Sequence, residues 1–225
     1  MRPISLTAAT AVPHLDYERA LWDAGYRYLA GVDEAGRGAI AGPVAAGAVI
    51  LPDRPDLAQK LSGVRDSKLM TAPARAAWRE VICQVAISWA VGFASHAEID
   101  QIGIAPATRL AACRAIELLD PGPDYLITDY LILPELEPPQ TALVKGDLLV
   151  LSVSCASILA KTARDRLMVA AGKSYPGYGF EQHKGYGTLR HRQAVAQWGY
   201  TPLHRLTFQC IPAAPLADES EIEVD

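Results

Sequence analysis

Four acidic residues follow short apolar segments of the chain, namely Asp33, Glu34, Asp129 and Asp147. Acids at strand ends of an α/β sheet converge on the crevice where ligands usually bind. Carboxylate oxygens in this number suit Mg²⁺ or Mn²⁺, whereas Zn²⁺ would require closely spaced His or Cys. Two such ions could activate a water and stabilise a departing oxygen. The alternative for Asp129 and Asp147 is that each merely caps a loop.

The segment Gly36-Arg37-Gly38 comes directly after the first acidic pair and an alanine. Neighbouring side chains of a strand face opposite sides, so Asp33 and Glu34 can serve one site only where the strand bends or ends. The glycines provide a turn, and they also let the backbone of another molecule approach closely. An acidic edge beside accessible backbone suits a divalent metal and a phosphate.

Five sequence blocks extend this pattern in a fixed order: DEAGRG at 33–38, VKGD at 144–147, SILAKTARDRLM at 157–168, YPGYGFEQHKGYGT at 175–188 and LHRLTF at 203–208. Together they resemble bacterial ribonuclease HII, the type 2 ribonuclease H, from about residue 28 to 208. The resemblance implies the ribonuclease H-like fold. It also implies an endoribonuclease that hydrolyses the RNA strand of RNA/DNA hybrids. Such an enzyme nicks duplex DNA 5′ of an embedded ribonucleotide, leaving 3′-hydroxyl and 5′-phosphate ends.

The resemblance also assigns roles to individual residues. The four acids correspond to the catalytic, metal-binding carboxylates of a two-metal mechanism. Gly36, Arg37 and Gly38 correspond to a loop whose backbone contacts the ribose 2′-hydroxyl, the group that distinguishes RNA from DNA. Tyr186 corresponds to a tyrosine that packs on the following deoxyribose. Independently of the resemblance, the plausible phosphate contacts, each of which taken singly could instead be an ordinary solvated residue, are Lys68, Lys145, Ser157, Lys161, Lys184 and Arg205.

One position departs from the family pattern. The third acid is usually followed by glycine, but here Tyr130 follows Asp129, which adds bulk and removes backbone freedom. Asp124 is a weaker candidate for the same role. If Tyr130 spoils the third ligand, the chain could be a nucleic-acid-binding module without catalysis. A phosphotransferase is not favoured, because the chain has no GxxxxGK[ST] motif.

Strand and helix patterns alternate after an initial hairpin, which predicts an α/β domain with a mixed central sheet flanked by helices. The expected strands are 28–32, 44–51, 87–94, 125–128 and 141–144. Helices are expected at 15–24, 73–85, 106–119, 154–171 and 189–198, the last forming a small helical C-terminal extension. We expect one catalytic domain over 1–211 and a disordered acidic tail over 212–225.

The composition of the 225-residue chain is that of an ordinary globular protein. No apolar stretch reaches the roughly 20 residues of a membrane-spanning helix, so no membrane partner is expected. The cysteines lack CxxC spacing and are read as buried free thiols, which predicts a cytoplasmic protein. The sequence carries no clear oligomer signal, and we expect a monomer.

The net charge of −4 is unevenly distributed. The last eight residues contain five acids, so the rest of the chain carries +1. Residues 145–205 contain nine Lys or Arg and three acids. A cationic segment beside an acidic tail is typical of a protein that binds a polyanion such as nucleic acid, although a solvated charged surface would look the same.

Overall fold

The computed structural model describes residues 12–208, which form an α/β fold around a five-stranded mixed sheet. The strand order is β3-β2-β1-β4-β5. Strands β1 to β3 pair antiparallel, whereas β1, β4 and β5 pair parallel. This confirms the predicted mixed sheet and its opening hairpin. The strands are β1 (Leu29–Ala35), β2 (Val44–Ile50), β3 (Ser88–Ala94), β4 (Tyr125–Asp129) and β5 (Gln140–Leu143).

The helices are α1 (Asp16–Asp23), α2 (Leu57–Lys60), α3 (Ala72–Val85), α4 (His96–Ile102), α5 (Ile104–Glu117), α6 (Gly146–Leu149), α7 (Leu151–Ser174), α8 (Phe180–His183) and α9 (Leu189–Trp198). A 3₁₀ turn covers Ser67–Leu69. The longer helices α1, α3, α5, α7 and α9 were predicted, with ends that differ by at most three residues. The short helices were missed, because one or two turns are too few to show helical periodicity.

Helices cover both faces of the sheet, and glycines allow their close approach. A Cβ on Gly31 would lie 2.3 Å from the backbone of Ser152 in α7, and one on Gly47 would lie 2.3 Å from the Ala156 carbonyl oxygen. On the opposite face, a Cβ on Gly92 would lie 2.2 Å from a carbonyl oxygen of α5. Every residue of β2 is buried, as expected of a strand covered on both faces.

The first strand is longer than predicted and runs through both acids to Ala35. Pairing with β2 continues to the last residue of β1, whereas pairing with β4 stops at Val32 opposite Thr128. The acids therefore lie on a part of β1 that has a partner on only one side. The sequence predicted that β1 ends before Asp33. The edge of the sheet is instead open beside Asp33 because β4 no longer pairs with β1 there.

Other predictions fall partly outside the described residues. Cys155 is buried and Cys83 and Cys113 are half-buried, all three with free thiols, while Cys210 lies outside the described range. The predicted acidic tail also lies outside it, so the division at residue 211 stays a prediction. Within residues 12–208, no helix is long and apolar enough to span a membrane.

Candidate active site

A cleft of about 640 Å³ opens where the end of β1 passes the end of β4. Its walls come from β1, the turn that follows β1, the 3₁₀ turn, α3, α7 and the loop before α9. Nine residues predicted from the sequence line this cleft: Asp33, Glu34, Gly36, Arg37, Gly38, Lys68, Asp129, Lys161 and Tyr186. Residues that are far apart along the chain therefore share one concave surface.

The fourth acid, Asp147, is buried directly behind the cleft. Its Oδ2 lies 3.2 Å from Nζ of Lys68, which lines the cleft. The loop before it is tied to the third acid, because the Gly146 N–H donates to Asp129 Oδ1 at 2.8 Å. The ends of β4 and β5 thus place Asp129 and Asp147 next to each other.

The acids share an unfavourable electrostatic environment. Burial raises the pKa of Asp33 well above its usual range, and Glu34, Asp129 and Asp147 raise it further. Burial also raises the pKa of Glu34, against the opposing effect of Arg37 at 3.3 Å. The pKa of Asp129 is raised by burial and then by Asp147. A positive charge bound among these groups would lower all three values.

The residues fit a hard divalent cation. Asp33 Oδ2 is buried and has no hydrogen-bond partner within the described part of the chain, which is costly for a carboxylate. All four candidate ligands offer oxygen, as Mg²⁺ and Mn²⁺ prefer. Over residues 12–208, no three His, Cys, Asp or Glu side chains form a ready-made metal cluster. The four carboxylates instead lie close enough to raise the pKa of Asp33.

Lys68 partly balances these charges. Burial alone would lower the pKa of its ammonium, but the carboxylates of Asp147, Asp66 and Asp33 outweigh burial and raise it. The side chain is 68% exposed, so the ammonium can also reach a ligand in the cleft. The Asp66 side chain accepts a hydrogen bond from the Lys68 N–H and fixes the turn.

The Gly36-Arg37-Gly38 turn is held from behind by the guanidinium of Arg205. Arg205 donates to the carbonyl oxygens of Gly36 and Arg37 at 2.8 Å and to that of Gly42 at 3.0 Å. Within residues 12–208, no hydrogen bond uses the backbone N–H of Arg37 or Gly38. The turn therefore has its carbonyl groups engaged by the protein and retains backbone donors.

A second buried guanidinium, Arg164, supports the same turn. It donates to the carbonyl oxygens of Pro43, Ala41 and Lys184 at 2.8 to 3.1 Å, and it lies 5.4 Å from the ring centroid of Tyr186. The Gly185 carbonyl accepts from the N–H of Ile40 at 2.9 Å. The segment after the turn and the loop that carries Tyr186 are thus joined.

Three histidines hold the Tyr186 loop from the other side. The Thr201 N–H donates to His204 Nδ1 at 2.8 Å, so the proton of His204 is on Nε2. That Nε2–H donates to His191 Nε2 at 3.1 Å, and His191 Nδ1–H donates to the Tyr186 carbonyl at 3.0 Å. His183 stacks on His191 with centroids 4.2 Å apart. These contacts give the three histidines a structural role.

Four of the predicted phosphate contacts lie elsewhere. Ser157 is buried and donates to Ser67 Oγ at 2.9 Å, and Arg205 is fully buried. A buried side chain cannot reach a phosphate in the cleft, so the prediction of a phosphate contact is wrong for both residues. Lys145 is exposed at φ +61° and Lys184 is half-buried near the Glu181 carbonyl, and neither lines the cleft. Of the six predicted phosphate contacts, Lys68 and Lys161 line the cleft.

Sequence reasoning missed Ser67 and Arg75, which line the cleft, and Arg164 behind it. Arg75 pairs with Asp165 at 3.2 Å, and Lys161 pairs with Asp165 at 2.8 Å. Asp165 thus pairs with cations that lie 90 and 4 residues away along the chain. In the sequence, Arg75 is a cation near the start of a predicted helix. Such cations are common on protein surfaces, so its position gave no reason to place it in the cleft.

Local geometry distinguishes the two candidates for the third acid. Asp124 accepts from the N–H groups of Arg27 and Tyr28 at 2.7 and 2.9 Å, so it caps the start of β1 and is not in the cleft. Tyr130 has φ +57°, a left-handed conformation that glycine adopts easily. Asp129 lines the cleft with this tyrosine present. Tyr130 therefore does not displace Asp129 from the cleft.

Comparison with known proteins agrees with this geometry. Residues 30–211 match the family model for ribonuclease HII. The chain belongs to the ribonuclease HII family. Ribonuclease HII of Dehalococcoides mccartyi is 48% identical over 200 residues, covering 89% of this chain and 94% of the relative. Ribonuclease HII of a Synechococcus species is 50% identical over 206 residues, covering 92% and 90%.

A solved structure supports the fold. The ribonuclease H2 of Pyrococcus horikoshii has a TM-score of 0.69 and 26% identity, covering 81% of this chain and 94% of that chain. As a ribonuclease HII, the protein is a ribonuclease H, an endoribonuclease that acts on RNA/DNA hybrids. Enzymes of this family depend on divalent metal ions.

Proposed function

We propose that this ribonuclease HII also nicks duplex DNA on the 5′ side of a single embedded ribonucleotide, leaving a 3′-hydroxyl and a 5′-phosphate. The observation that carries the proposal is one shared cleft lined by three of the four acids, the Gly36-Arg37-Gly38 turn and Tyr186, with Asp147 buried behind it. A nuclease that reads one ribonucleotide needs the 2′-hydroxyl, the scissile phosphate and the next sugar to be recognised side by side.

In this proposal, Asp33, Glu34, Asp129 and Asp147 hold two Mg²⁺ or Mn²⁺ ions. Ions bound there would activate a water and stabilise the departing oxygen. The partnerless Oδ2 of Asp33 and the mutual repulsion of the carboxylates support this assignment. Lys68 and Lys161, which line the cleft, would contact the phosphates on either side, and Lys145 and Lys184 remain more remote candidates on the flank.

Recognition of the ribose is assigned to the backbone of the turn. The N–H groups of Arg37 and Gly38 can donate to a 2′-hydroxyl oxygen, and a carbonyl can accept its proton. A Cβ added to Gly38 would meet no other atom within 4 Å, so the space beside it is open to a ligand. A deoxyribose would leave these groups without a partner, which disfavours DNA at this position.

Recognition of the next sugar is assigned to Tyr186. Its ring lies in the cleft, between Lys161 Nζ at 5.5 Å and Arg164 Cζ at 5.4 Å. A flat ring held in this way can pack on a deoxyribose and would crowd a 2′-hydroxyl. Together, the Gly36-Arg37-Gly38 turn and Tyr186 would therefore favour a substrate with an RNA-to-DNA junction.

The test uses a labelled DNA duplex with one ribonucleotide, incubated with Mg²⁺ or Mn²⁺ and, in parallel, with chelator. We expect metal-dependent nicking 5′ of the ribonucleotide by the wild type and none by Asp33→Asn. Adding Mn²⁺ should raise the melting temperature of Asp33→Asn less than that of the wild type, because the variant lacks one of the four ligand charges. Binding without metal-dependent nicking would instead indicate a nucleic-acid-binding module. Full activity of a folded Asp33→Asn variant would refute the metal assignment.

A further inference from the structure

An exposed apolar surface lies beside the active-site cleft. Tyr130 is 72% exposed, Ile132 is 63% exposed and Val144 is 68% exposed. These residues follow the ends of β4 and β5, the same strand ends that position Asp129 and Asp147. Single exposed apolar residues are common, but several that line one hollow mark a contact surface. We name Tyr130, Ile132 and Val144 the apolar shelf.

Folding alone does not account for Tyr130. Its φ of +57° lies in the left-handed region, which costs a residue with a large side chain free energy that glycine would not lose. The ring is mostly exposed, so little burial offsets this cost. The backbone is fixed by the Tyr130 N–H, which donates to the Leu143 carbonyl at 3.0 Å. A strained, exposed aromatic residue next to a catalytic residue is typical of a functional position.

The apolar shelf is continuous with the cleft. Tyr130, Ile132 and Val144 line a hollow of about 450 Å³ that also contains Arg37 and Arg109. Arg37 lines the active-site cleft as well, so the two concavities share a wall. Arg37 pairs with Glu34 at 3.3 Å and Arg109 with Glu135 at 3.0 Å. An apolar surface flanked by arginines complements a duplex backbone, in which sugars lie between phosphates.

We propose that the apolar shelf extends the substrate-binding surface, with Tyr130 packing on a sugar of the duplex backbone next to the reacting nucleotide. This inference rests on the proposed function, because it takes the cleft as the place of the scissile phosphate. Tyr130 is a specificity-determining residue in this view. It adds an aromatic contact at a position where the family pattern has glycine.

The experiment compares Tyr130→Gly and Tyr130→Phe with the wild type on the duplex that carries one ribonucleotide. Loss of one aromatic–sugar contact should raise Kd, measured in Ca²⁺ without turnover, and KM by about 5- to 10-fold at unchanged kcat. Tyr130→Phe should keep the wild-type values. Because glycine relieves the left-handed strain, Tyr130→Gly should be at least as stable to urea as the wild type. A matched control is Tyr17→Ala, which removes an exposed ring on α1 that lines neither concavity and should leave Kd unchanged.

The salt dependence of Kd separates a contribution from apolar packing from a contribution from charge. Tyr130→Gly should leave the slope of log Kd against log salt unchanged, since no cation is removed. The inference is overturned if Tyr130→Gly binds as tightly as the wild type, or if kcat falls at unchanged Kd, which would mean that Tyr130 only supports Asp129. It is also overturned if sedimentation shows that the shelf joins two copies of the chain. Failure of the wild type to nick this duplex would instead count against the proposed function.

Discussion

The two glycines of the Gly36-Arg37-Gly38 turn are expected to respond in opposite ways to the same added methyl group. Gly36 has φ +92°, and a Cβ there would lie 1.9 Å from Arg164 Nε. Gly38 does not have a positive φ, and a Cβ added to it would have no other atom within 4 Å. The alanine variants therefore separate the contribution of the turn to folding from its contribution to ligand binding.

The magnitude for Gly36→Ala follows from two effects. A left-handed alanine costs about 1–2 kcal/mol. The methyl group must also displace Arg164, which is fully buried and donates to three carbonyl groups. Losing one hydrogen bond from a charged donor costs about 1.5–3 kcal/mol. We expect a total loss of about 2.5–5 kcal/mol in the free energy of unfolding, a large share of the stability of a typical domain.

For Gly38→Ala we expect a change in unfolding free energy within about 0.5 kcal/mol, as at an unhindered surface position. Cleavage beside a ribonucleotide should nevertheless fall at least about tenfold, since the methyl group would occupy the space proposed for the ribose. Urea denaturation of both variants measures the first quantity, and single-turnover nicking measures the second. A Gly36→Ala variant as stable as the wild type would refute the placement of Arg164. Wild-type nicking by Gly38→Ala would refute the ribose contact.

Two further predictions concern buried titratable groups. Asp33→Asn removes a buried charge that its neighbours destabilise, so its free energy of unfolding without metal should be unchanged to about 1 kcal/mol higher, measured by urea denaturation; a marked loss would contradict this. Burial lowers the pKa of His191 from 6.5 to about 4, so the unfolded chain binds a proton first as the pH falls. Stability should therefore be fully present above pH 6.5 and decline towards pH 4, by up to about 3 kcal/mol for this group. The wild type should lose more stability over this range than His191→Gln, and equal slopes would exclude His191 as the cause.

The sequence predicted the parts of this protein that depend on local patterns. The strands of the hairpin and the helix Leu189–Trp198 follow from the spacing of their apolar residues. The acids were found because they end apolar segments, and the family blocks gave the activity. Short helices such as α4 were missed even though Ser95 and Glu98 form a capping box, because two turns carry little periodicity.

The roles of long basic side chains could not be predicted from neighbours in the sequence. Arg205 was taken for a phosphate contact, but it is buried and binds carbonyl groups more than 160 residues away. Asp165 is flanked by Arg164 and Arg166 in the sequence, yet it binds Arg75, 90 residues away. A cation looks the same in a sequence whether it faces solvent or satisfies buried backbone, and burial is a property of the packed chain.

The sequence by itself therefore determined the fold class, the identity of the acids and the glycine turn, because these depend on residue type and short-range order. Only the tertiary structure decided that β1 continues past its pairing with β4, which opens the cleft at Asp33. It also decided that Tyr130 keeps a glycine-like backbone and leaves Asp129 in place. Both outcomes arise from hydrogen bonds and packing between distant segments, which no local pattern encodes.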